Sequence, residues 1–502
     1  MSLVKRYWYY VFYSLLSLLL IFFLATPIRM TAVDLGRHLA NGREIFSGNT
    51  NVLFQNHYSY SMEGQEFINH HWLFGVVVFS LEKITGFAGI HIFNIIVLII
   101  VLWILLGLIE KKSNPSITTL WGILAVMFLS TRPEVRPETL GLLFIANSLL
   151  QISNIILKKN LTRSKLILLL FQQLLWVNTH ITFIFGIILI GLLWFSSYAL
   201  HSPNLSSKIN KKLFFFTIIL SLTSVLNPNF IQGALEPFNI FTDYGYSIVE
   251  NQTLLFLWKV IAHPTFYQYL FFMSFSVPLV LWSFTHLSWF ERALFVIGSI
   301  MGYLALRNIP IFVLFTFPTT AKASLIFIRN IQKKHGLSFS NKSIVLLFSQ
   351  LYFLVSIIIL SGFNPQRATI FNRKIGIIPE EQEAAKYIIN NKLSGPIFNN
   401  YDIGSYLIYY LYPSQKVFVD NRPEAYNKKF LQDTYIKMQQ NPEKWTEVVD
   451  EYQIKTVVFG IQDITPWAQE FLRFIEDKQE WDNVYKDQYV SIWIKKNIIE
   501  AS

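Results

Sequence analysis

Long apolar stretches recur along most of this sequence, and they restrict its possible folds more than any other feature. The first extends from Trp8 to Ile28, and ten more follow at 87–109, 116–131, 138–157, 166–179, 181–200, 213–227, 267–285, 290–306, 308–325 and 343–362. About 20 apolar residues in a helix cross the hydrocarbon core of a bilayer. The sequence therefore predicts an α-helical polytopic membrane protein with about eleven transmembrane helices.

The charged residues agree with this prediction and exclude several other classes of protein. Only 15% of the residues are charged, against about 25% in soluble domains. The net charge is +11, but the excess lies in short loops between apolar stretches, so we expect no nucleic-acid partner. The chain contains no cysteine, which excludes disulfides and cysteine-held metals.

The loop charges also predict an orientation in the membrane. One set of alternate loops holds sixteen Lys and Arg residues, and the other set holds seven, of which six are Arg. Cytoplasmic loops carry the excess of positive charge. We expect a multi-pass protein of the cell membrane whose N-terminus is cytoplasmic, with the loop 29–72 and the C-terminal region on the outer side.

The composition changes near residue 363. Residues 1–362 hold 25 basic and 12 acidic side chains, whereas residues 363–502 hold 17 and 19. An amphipathic helix at 380–392 precedes β-rich runs at 396–399, 416–420, 455–460 and 489–495, which alternate with helical patterns at 402–412, 424–440, 443–452 and 466–478. We predict a transmembrane domain at 1–362 and an extracytoplasmic α/β domain at 363–502.

The first outer loop, 29–72, concentrates polar side chains beside the membrane. Asp34 precedes a predicted amphipathic helix at 35–46 that contains Arg37 and His38, and it is a favoured helix N-cap residue. His70 and His71 precede Trp72 where the chain returns to the membrane, through a segment, 72–84, interpreted as interfacial or tilted. Either histidine could pack at the interface or donate a hydrogen bond to a phosphate or hydroxyl group.

Three arginines on the predicted outer side are candidates for binding phosphate, because a guanidinium group matches phosphate oxygens in pairs. Arg132 and Arg136 lie in the run TRPEVRPE, where a local Arg–Glu network is the structural alternative. Arg307 lies between two apolar stretches without a real loop. Asn178 and His180, in WVNTH, are candidates for substrate contacts or for interhelical hydrogen bonds.

Other polar positions and motifs receive a structural interpretation or none. Asp402, Asp420, Arg422 and Glu424 flank short motifs of the C-terminal region and are interpreted as structural. The sequence has no Walker loop, GxGxxG, HExxH or CxxC motif, so ATP-driven and dinucleotide-dependent chemistry is not supported.

Several strings resemble a known family. DLGRHLANGREIF, HHWLFG, RPEVRPETLG and WVNTHITFIFG look like segments of prokaryotic GT-C glycosyltransferases, which use polyprenyl-phosphate-linked sugars. The resemblance covers about residues 1–310, with a weaker echo in 399–426. It implies a GT-C-like fold with the acidic residue of the first outer loop at Asp34. Many members carry paired acids there, but Leu35 follows Asp34, so we expect no metal cofactor, although a divalent metal is the alternative.

The resemblance implies a glycosyltransferase that moves a sugar from a polyprenyl-phosphate donor to an acceptor hydroxyl on the outer face. In this hypothesis Asp34 is the general base, Arg132, Arg136 and Arg307 bind the donor phosphate, and His38, His70, His71, Asn178 and His180 contact substrate. The acceptor is a glycan, a lipid or a protein. The alternatives are a transporter or flippase of lipid-linked precursors, and a scaffold whose outer domain binds a partner.

Overall fold

Thirteen α-helices make up the described chain as far as residue 335. The structure is a computed structural model that describes residues 3–113, 115–239, 244–246, 248–335 and 373–496. The helices are α1 Leu3–Leu24, α2 Leu35–Phe46, α3 Trp72–Glu110, α4 Pro115–Leu129, α5 Glu138–Lys158, α6 Arg163–Val177, α7 Ile184–Tyr198, α8 Ser207–Thr223, α9 Phe230–Asn239, α10 Leu254–Ile261, α11 Thr265–Trp282, α12 Trp289–Leu304 and α13 Ile309–His335. Ten of the predicted apolar stretches coincide with one of these helices.

Among the described residues, five helices are long and apolar enough to cross a membrane. They are Trp72–Glu110, Glu138–Lys158, Ile181–Tyr198, Thr265–Trp282 and Leu306–Lys334. The other coinciding helices are shorter or more polar, so the structure does not confirm a count of eleven. The predicted span 343–362 and the predicted domain boundary after residue 362 lie outside the described residues, and both stay predictions.

Helix α3 consists of two helices joined at Gly86. The backbone of Gly86 has φ +67° and ψ −171°, a conformation that only glycine adopts easily. The segment before the kink corresponds to the predicted interfacial segment 72–84, and the segment after it corresponds to the predicted span 87–109. The change of direction at Gly86 confirms that the sequence encodes two elements here.

The C-terminal part contains a four-stranded sheet in the order β1-β2-β4-β3. Its elements are α14 Gln382–Asn390, β1 Ile397–Asn399, α15 Gly404–Leu411, a π-helical turn Phe430–Ile436 continued by α16 Lys437–Gln440, α17 Pro442–Glu451, β2 Thr456–Gly460, α18 Pro466–Glu476, β3 Trp481–Lys486 and β4 Val490–Lys495. Strand β1 pairs parallel to β2, whereas β4 pairs antiparallel to both of its neighbours. The predicted mixture of helices and strands is confirmed.

One strand prediction in this part is wrong, and one strand of the sheet was not predicted. Residues 416–420 form no strand, because Val417 pairs in an isolated bridge with Ser59 of the first loop and the Phe418 N–H donates to the Asn399 side chain. Strand β3 was not predicted, since its polar sequence WDNVYK reflects an edge strand with one solvated face.

The first loop and the C-terminal part share one hydrophobic core. Leu35 and Leu39 of α2 pack in the same cluster as Tyr406 and Leu407 of α15, and the Arg37 N–H donates to Ser405 Oγ at 2.8 Å. The helix predicted over 35–46 has those bounds, and Leu35, Leu39 and Ala40 are buried against protein, with Ile45 partly buried. Phe46 is the exception and is 62% exposed. Helix α2 thus connects the helical bundle to the C-terminal part.

Candidate active site

A cavity of about 520 Å³ lies where the helical bundle, the first loop and the C-terminal part meet. Its lining includes five of the residues that the sequence analysis proposed for the site, namely Asp34, His70, His71, Arg136 and Arg307. These residues come from four separate segments of the chain, which the tertiary fold brings together. We refer to the side of the bundle that carries this cavity as the site side.

Asp34 occupies the N-cap position of α2, but its carboxylate does not cap the helix. Asp34 Oδ2 accepts from Arg37 Nη2 at 3.4 Å and lies 3.2 Å from His38 Nε2, and no backbone N–H is bound by the side chain. The second oxygen, Oδ1, is buried without a hydrogen-bond partner among the described residues. The N-cap interpretation is therefore wrong in its contacts, and the side chain keeps an acceptor atom for another group.

The charges around Asp34 keep its carboxylate ionised. Burial by itself would raise the pKa of Asp34, but the hydrogen bond from His38 and the charges of Arg136 and Arg37 outweigh it and hold the pKa well below the usual value for aspartate. The His38 ring is fully buried, and burial, followed by the charge of Arg37, lowers its pKa. A neutral His38 that donates from Nε2 fixes the orientation of the Asp34 carboxylate.

The two arginines of TRPEVRPE meet on one distant carboxylate. Arg132 Nη2 lies 2.9 Å from Glu250 Oε2, and Arg136 Nη1 lies 2.7 Å from the same atom. Glu250 belongs to the 3₁₀ helix Val249–Asn251. Arg132 also approaches Glu134 at 3.5 Å, so the local network of the structural alternative is present, but it is a minor part of the arrangement.

Arg307 completes this cationic group from the segment between α12 and α13. Its Nη2 lies 3.0 Å from Glu138 Oε1, and its Nη1 donates to Asn251 Oδ1 at 2.8 Å. Glu138 is in the first turn of α5, where the helix dipole favours an acid, and Pro137 precedes it. Arg132 Nη1 and Arg136 Nε have no hydrogen-bond partner among the described residues, so donor groups remain for an anion.

A small side cavity of about 40 Å³ adjoins the cavity of about 520 Å³ and shares Arg136, Glu138 and Arg307 with it. Arg132 and His180 line only this smaller space, whose other walls are mostly apolar side chains of α3, α4, α5 and α13. The arginine group therefore separates a polar cavity from the apolar interior of the bundle.

Four histidine rings cluster beside Asp34 and the arginines. The His71 ring is 4.0 Å from His70, 5.1 Å from His180 and 5.6 Å from His38, measured between ring centroids. Burial lowers the pKa of His70 to about 3 and that of His180 to about 4, and it lowers the pKa of His71 well below the usual value. These rings are neutral at physiological pH, so each offers one hydrogen-bond donor and one acceptor.

The remaining predicted residue, Asn178, has a structural role. Its Oδ1 accepts from Trp72 Nε1 at 3.0 Å, and its Nδ2 donates to the carbonyl groups of Leu174 and Leu226. Asn178 does not line the cavity. It instead joins the start of α3 to the ends of α6 and α8.

The C-terminal part and its neighbouring segments provide one wall of the cavity, and none of the residues proposed from the sequence for the site lies in this wall. This wall includes Tyr246, which stacks on Tyr401 at 4.0 Å, and the carboxylates of Glu236, Asp402, Glu424 and Asp463. The hydroxyl group of Tyr401 has no hydrogen-bond partner among the described residues. Two of these residues could have been found from the sequence, since Asp402 and Glu424 flank short motifs of the C-terminal region, which we interpreted as structural.

The structural interpretation is right for Asp420 and Arg422. Both side chains are fully buried, and they form an ion pair at 2.6 Å, to which Tyr426 adds a hydrogen bond. Asp402 differs, because its side chain is exposed to the cavity. Desolvation in the cavity, with repulsion from Asp463 and Glu250, raises the pKa of Asp402 to about 7, and water that enters the cavity moderates this shift.

Comparison with solved structures identifies the fold. No protein-family model matches the sequence, and no curated protein sequence matches it significantly. The archaeal oligosaccharyltransferase AglB from Archaeoglobus fulgidus, solved with an inhibitory peptide and a dolichol-phosphate, superposes with a TM-score of 0.63 at 13% identity, covering 99% of this chain and 75% of AglB.

Two further structures match over nearly the whole chain. ArnT from Cupriavidus metallidurans, bound to undecaprenyl phosphate, has a TM-score of 0.50 at 11% identity and covers 98% of both chains. The mycobacterial arabinofuranosyltransferase AftD has a TM-score of 0.53 at 11% identity, covering 98% of this chain and 42% of AftD. The chain therefore has the fold of the polytopic GT-C glycosyltransferases, as its sequence motifs indicated.

Proposed function

We propose that this protein is a membrane glycosyltransferase that moves a sugar from a polyprenyl-phosphate donor to an acceptor hydroxyl group. The observation that carries the proposal is the convergence of Asp34, Arg136 and Arg307 on one cavity beside the apolar interior of the bundle. The likeness to AglB and ArnT, which were solved with dolichol-phosphate and undecaprenyl phosphate, supports the donor class.

In this proposal the acceptor oxygen attacks the anomeric carbon as Asp34 takes the hydroxyl proton. The bond from the anomeric carbon to the phosphate oxygen breaks, and the electron pair leaves with the lipid phosphate. Arg132, Arg136 and Arg307 stabilise the charge that develops on this leaving group, through charge-assisted hydrogen bonds in a site of low dielectric. A single displacement of this kind inverts the anomeric centre.

We assign the acceptor to the wall made by the C-terminal part. Stacked tyrosines and carboxylates present both flat apolar faces and hydrogen-bond acceptors, which suits a molecule rich in hydroxyl groups. The acceptor is a glycan, a lipid or a protein, and this wall belongs to the same cavity as Arg136 and Arg307. On this assignment the membrane side supplies the donor, and the open side of the cavity supplies the acceptor.

We further propose that the reaction needs no resident metal ion. The described residues contain no group of three or more His, Asp or Glu side chains that could hold one, and three guanidinium groups can neutralise the phosphate instead. Transfer activity should persist in excess EDTA. Loss of activity in EDTA, with recovery on adding Mn²⁺ or Mg²⁺, would show that this assignment is wrong.

The experiment for the overall proposal separates turnover from donor binding. Undecaprenyl phosphate binding and sugar transfer are measured on purified wild type, Asp34→Asn and Arg307→Ala in lipid nanodiscs. We expect Asp34→Asn to bind the lipid phosphate and to lose transfer by about 10²-fold or more. Arg307→Ala should weaken lipid-phosphate binding by about tenfold, the value of one charge-assisted bond.

Matched controls are available away from the cavity. Asp433→Asn and Arg163→Ala make the same chemical changes at exposed positions and should leave both measurements at wild-type values. Wild-type turnover in Asp34→Asn would eliminate Asp34 as the base. Movement of labelled lipid across vesicles by wild type, without any sugar transfer, would favour a transporter instead.

A further inference from the structure

A second large cavity lies on the opposite side of the bundle from the candidate active site. Helix α5 begins at the first cavity, where Glu138 contributes to the lining, and its last turns contribute Ile156 and Leu157 to the second. The second cavity has a volume of about 570 Å³, which is within the range of small-molecule sites in proteins. It shares no lining residue with the first cavity.

One end of this cavity holds a cluster of three charged side chains. Glu291, in the first turn of α12, accepts from Lys112 Nζ at 2.9 Å and from Lys322 Nζ at 2.8 Å. The Glu291 side chain is only 9% exposed, whereas the two lysine side chains are 24% and 29% exposed. The lysines come from the end of α3 and from α13, so the cluster joins three helices.

The cluster has more positive charge and more donors than its single carboxylate can satisfy. Each ammonium group has three N–H donors, and among the described residues each of these two lysines makes one hydrogen bond, to Glu291. Lys111 also lines the cavity, and its ammonium donates to the neutral Asn154. Three lysines and one glutamate leave a net charge of +2 at this end.

The other end of the cavity is apolar. Its lining includes Leu149, Ile152 and Ile156 of α5, Leu294 of α12 and Phe315 of α13. Leu157, which is 60% exposed, also belongs to the lining, so the cavity reaches the apolar outer surface of α5. A free inorganic anion would leave these walls without a partner, whereas a lipid would satisfy both ends.

We propose that this cavity binds one anionic phospholipid, with its phosphodiester against Lys112 and Lys322 and an acyl chain along the walls of α5, α12 and α13. The phosphodiester accepts hydrogen bonds from the two ammonium groups and lowers the net charge of the cluster from +2 to +1. This proposal does not depend on the proposed transfer reaction, because the two cavities share no lining residue. Its experiment measures bound lipid and not enzyme activity.

The experiment counts bound lipids on the full chain by native mass spectrometry. Protein from nanodiscs of phosphatidylcholine with phosphatidylglycerol is compared with a Lys112→Gln/Lys322→Gln variant and with a Lys208→Gln/Lys211→Gln control, whose lysines are exposed near the start of α8. We expect wild type and control to retain one phosphatidylglycerol that the double variant binds about tenfold more weakly.

A second variant keeps the proposal testable if the double variant does not fold. Glu291→Gln removes the competing carboxylate, and we expect it to retain phosphatidylglycerol more strongly than wild type. A purely structural cluster would give only lower thermal stability and unchanged lipid retention, which would overturn the proposal. Equal retention of phosphatidylcholine would also overturn it, as would equal thermal stabilisation by millimolar inorganic phosphate.

Discussion

Two carboxylates of the candidate site, Asp34 and Asp402, have pKa values displaced in opposite directions, and each would give a different pH dependence as the catalytic base. Asp34 is held ionised by His38, Arg136 and Arg37, although burial opposes them. Asp402, across the same cavity, has a pKa raised to about 7. A carboxylate with a low pKa is a weak base, but it is deprotonated at every pH of interest. A carboxylate with a pKa near 7 is a stronger base, but it is partly protonated at neutral pH.

The pH dependence of turnover should distinguish these residues. With Asp34 as the base, its depressed pKa keeps it deprotonated, so kcat should show no loss between pH 8 and pH 5 that depends on a carboxylate. With Asp402 as the base, kcat should fall below about pH 7, by up to tenfold for each pH unit. The profile is measured for wild type and for Asp402→Asn. An acid limb near pH 7 in wild type, together with loss of turnover in Asp402→Asn, would contradict our assignment.

At the scale of elements, the short helix Val249–Asn251 would compete with the proposed donor for the arginine group. Glu250 bridges Arg132 and Arg136, and Asn251 bonds Arg307, so this one turn holds all three predicted phosphate ligands. A carboxylate and a phosphate oxygen are both anionic acceptors for a guanidinium group. Donor binding should therefore displace Glu250 from at least one arginine.

We predict that Glu250→Gln binds undecaprenyl phosphate more tightly than wild type, by about three- to tenfold. The change removes the competing charge and keeps the shape of the side chain. Binding is measured by titration in nanodiscs, with Glu134→Gln as a control, since the one ion pair of Glu134 among the described residues is with Arg132, at 3.5 Å. Weaker binding in Glu250→Gln would mean that Glu250 supports the donor site rather than occupying it.

At the scale of the whole molecule, the site depends on how closely α2 approaches the C-terminal part. A Cβ atom added at Gly36 would lie 2.4 Å from the Ser405 carbonyl oxygen, so the two helices must separate to accept a side chain. Gly36 is two residues from Asp34, and any such separation moves the Asp34 carboxylate relative to Asp402.

We predict that Gly36→Ala lowers the free energy of unfolding by about 1–3 kcal/mol, the usual cost of overpacking, and reduces transfer activity. Gly107→Ala is the matched control, because a Cβ atom there meets no atom within 4 Å. Its helical position should make alanine neutral or slightly stabilising. Thermal unfolding of both variants in nanodiscs checks the prediction, and equal unfolding temperatures would show that the close approach at Gly36 is unimportant.

Most helical elements of this protein, and the side chains that are candidates for its site, can be predicted from local sequence patterns. Apolar stretches of helical length predicted ten of the described helices, the bounds of α2 were predicted to the residue, and the motifs indicated the GT-C fold. These features are local, because hydrophobic periodicity and length are properties of a single segment.

Which charged side chains come into contact depends on the tertiary fold. Glu250 lies more than 110 residues from the arginines it bridges, and Asp34 and Asp402 line one cavity because α2 packs against α15 through Gly36 and Ser405. No local pattern could reveal these pairs, since side-chain contacts between distant segments follow from packing and not from spacing. For the same reason, the sequence could not show that Asn178 bonds Trp72, Leu174 and Leu226 or that Asp402 lines the cavity. Electrostatic roles in this protein belong to the assembled cavity, because each pKa shift there depends on neighbours that the chain order does not supply.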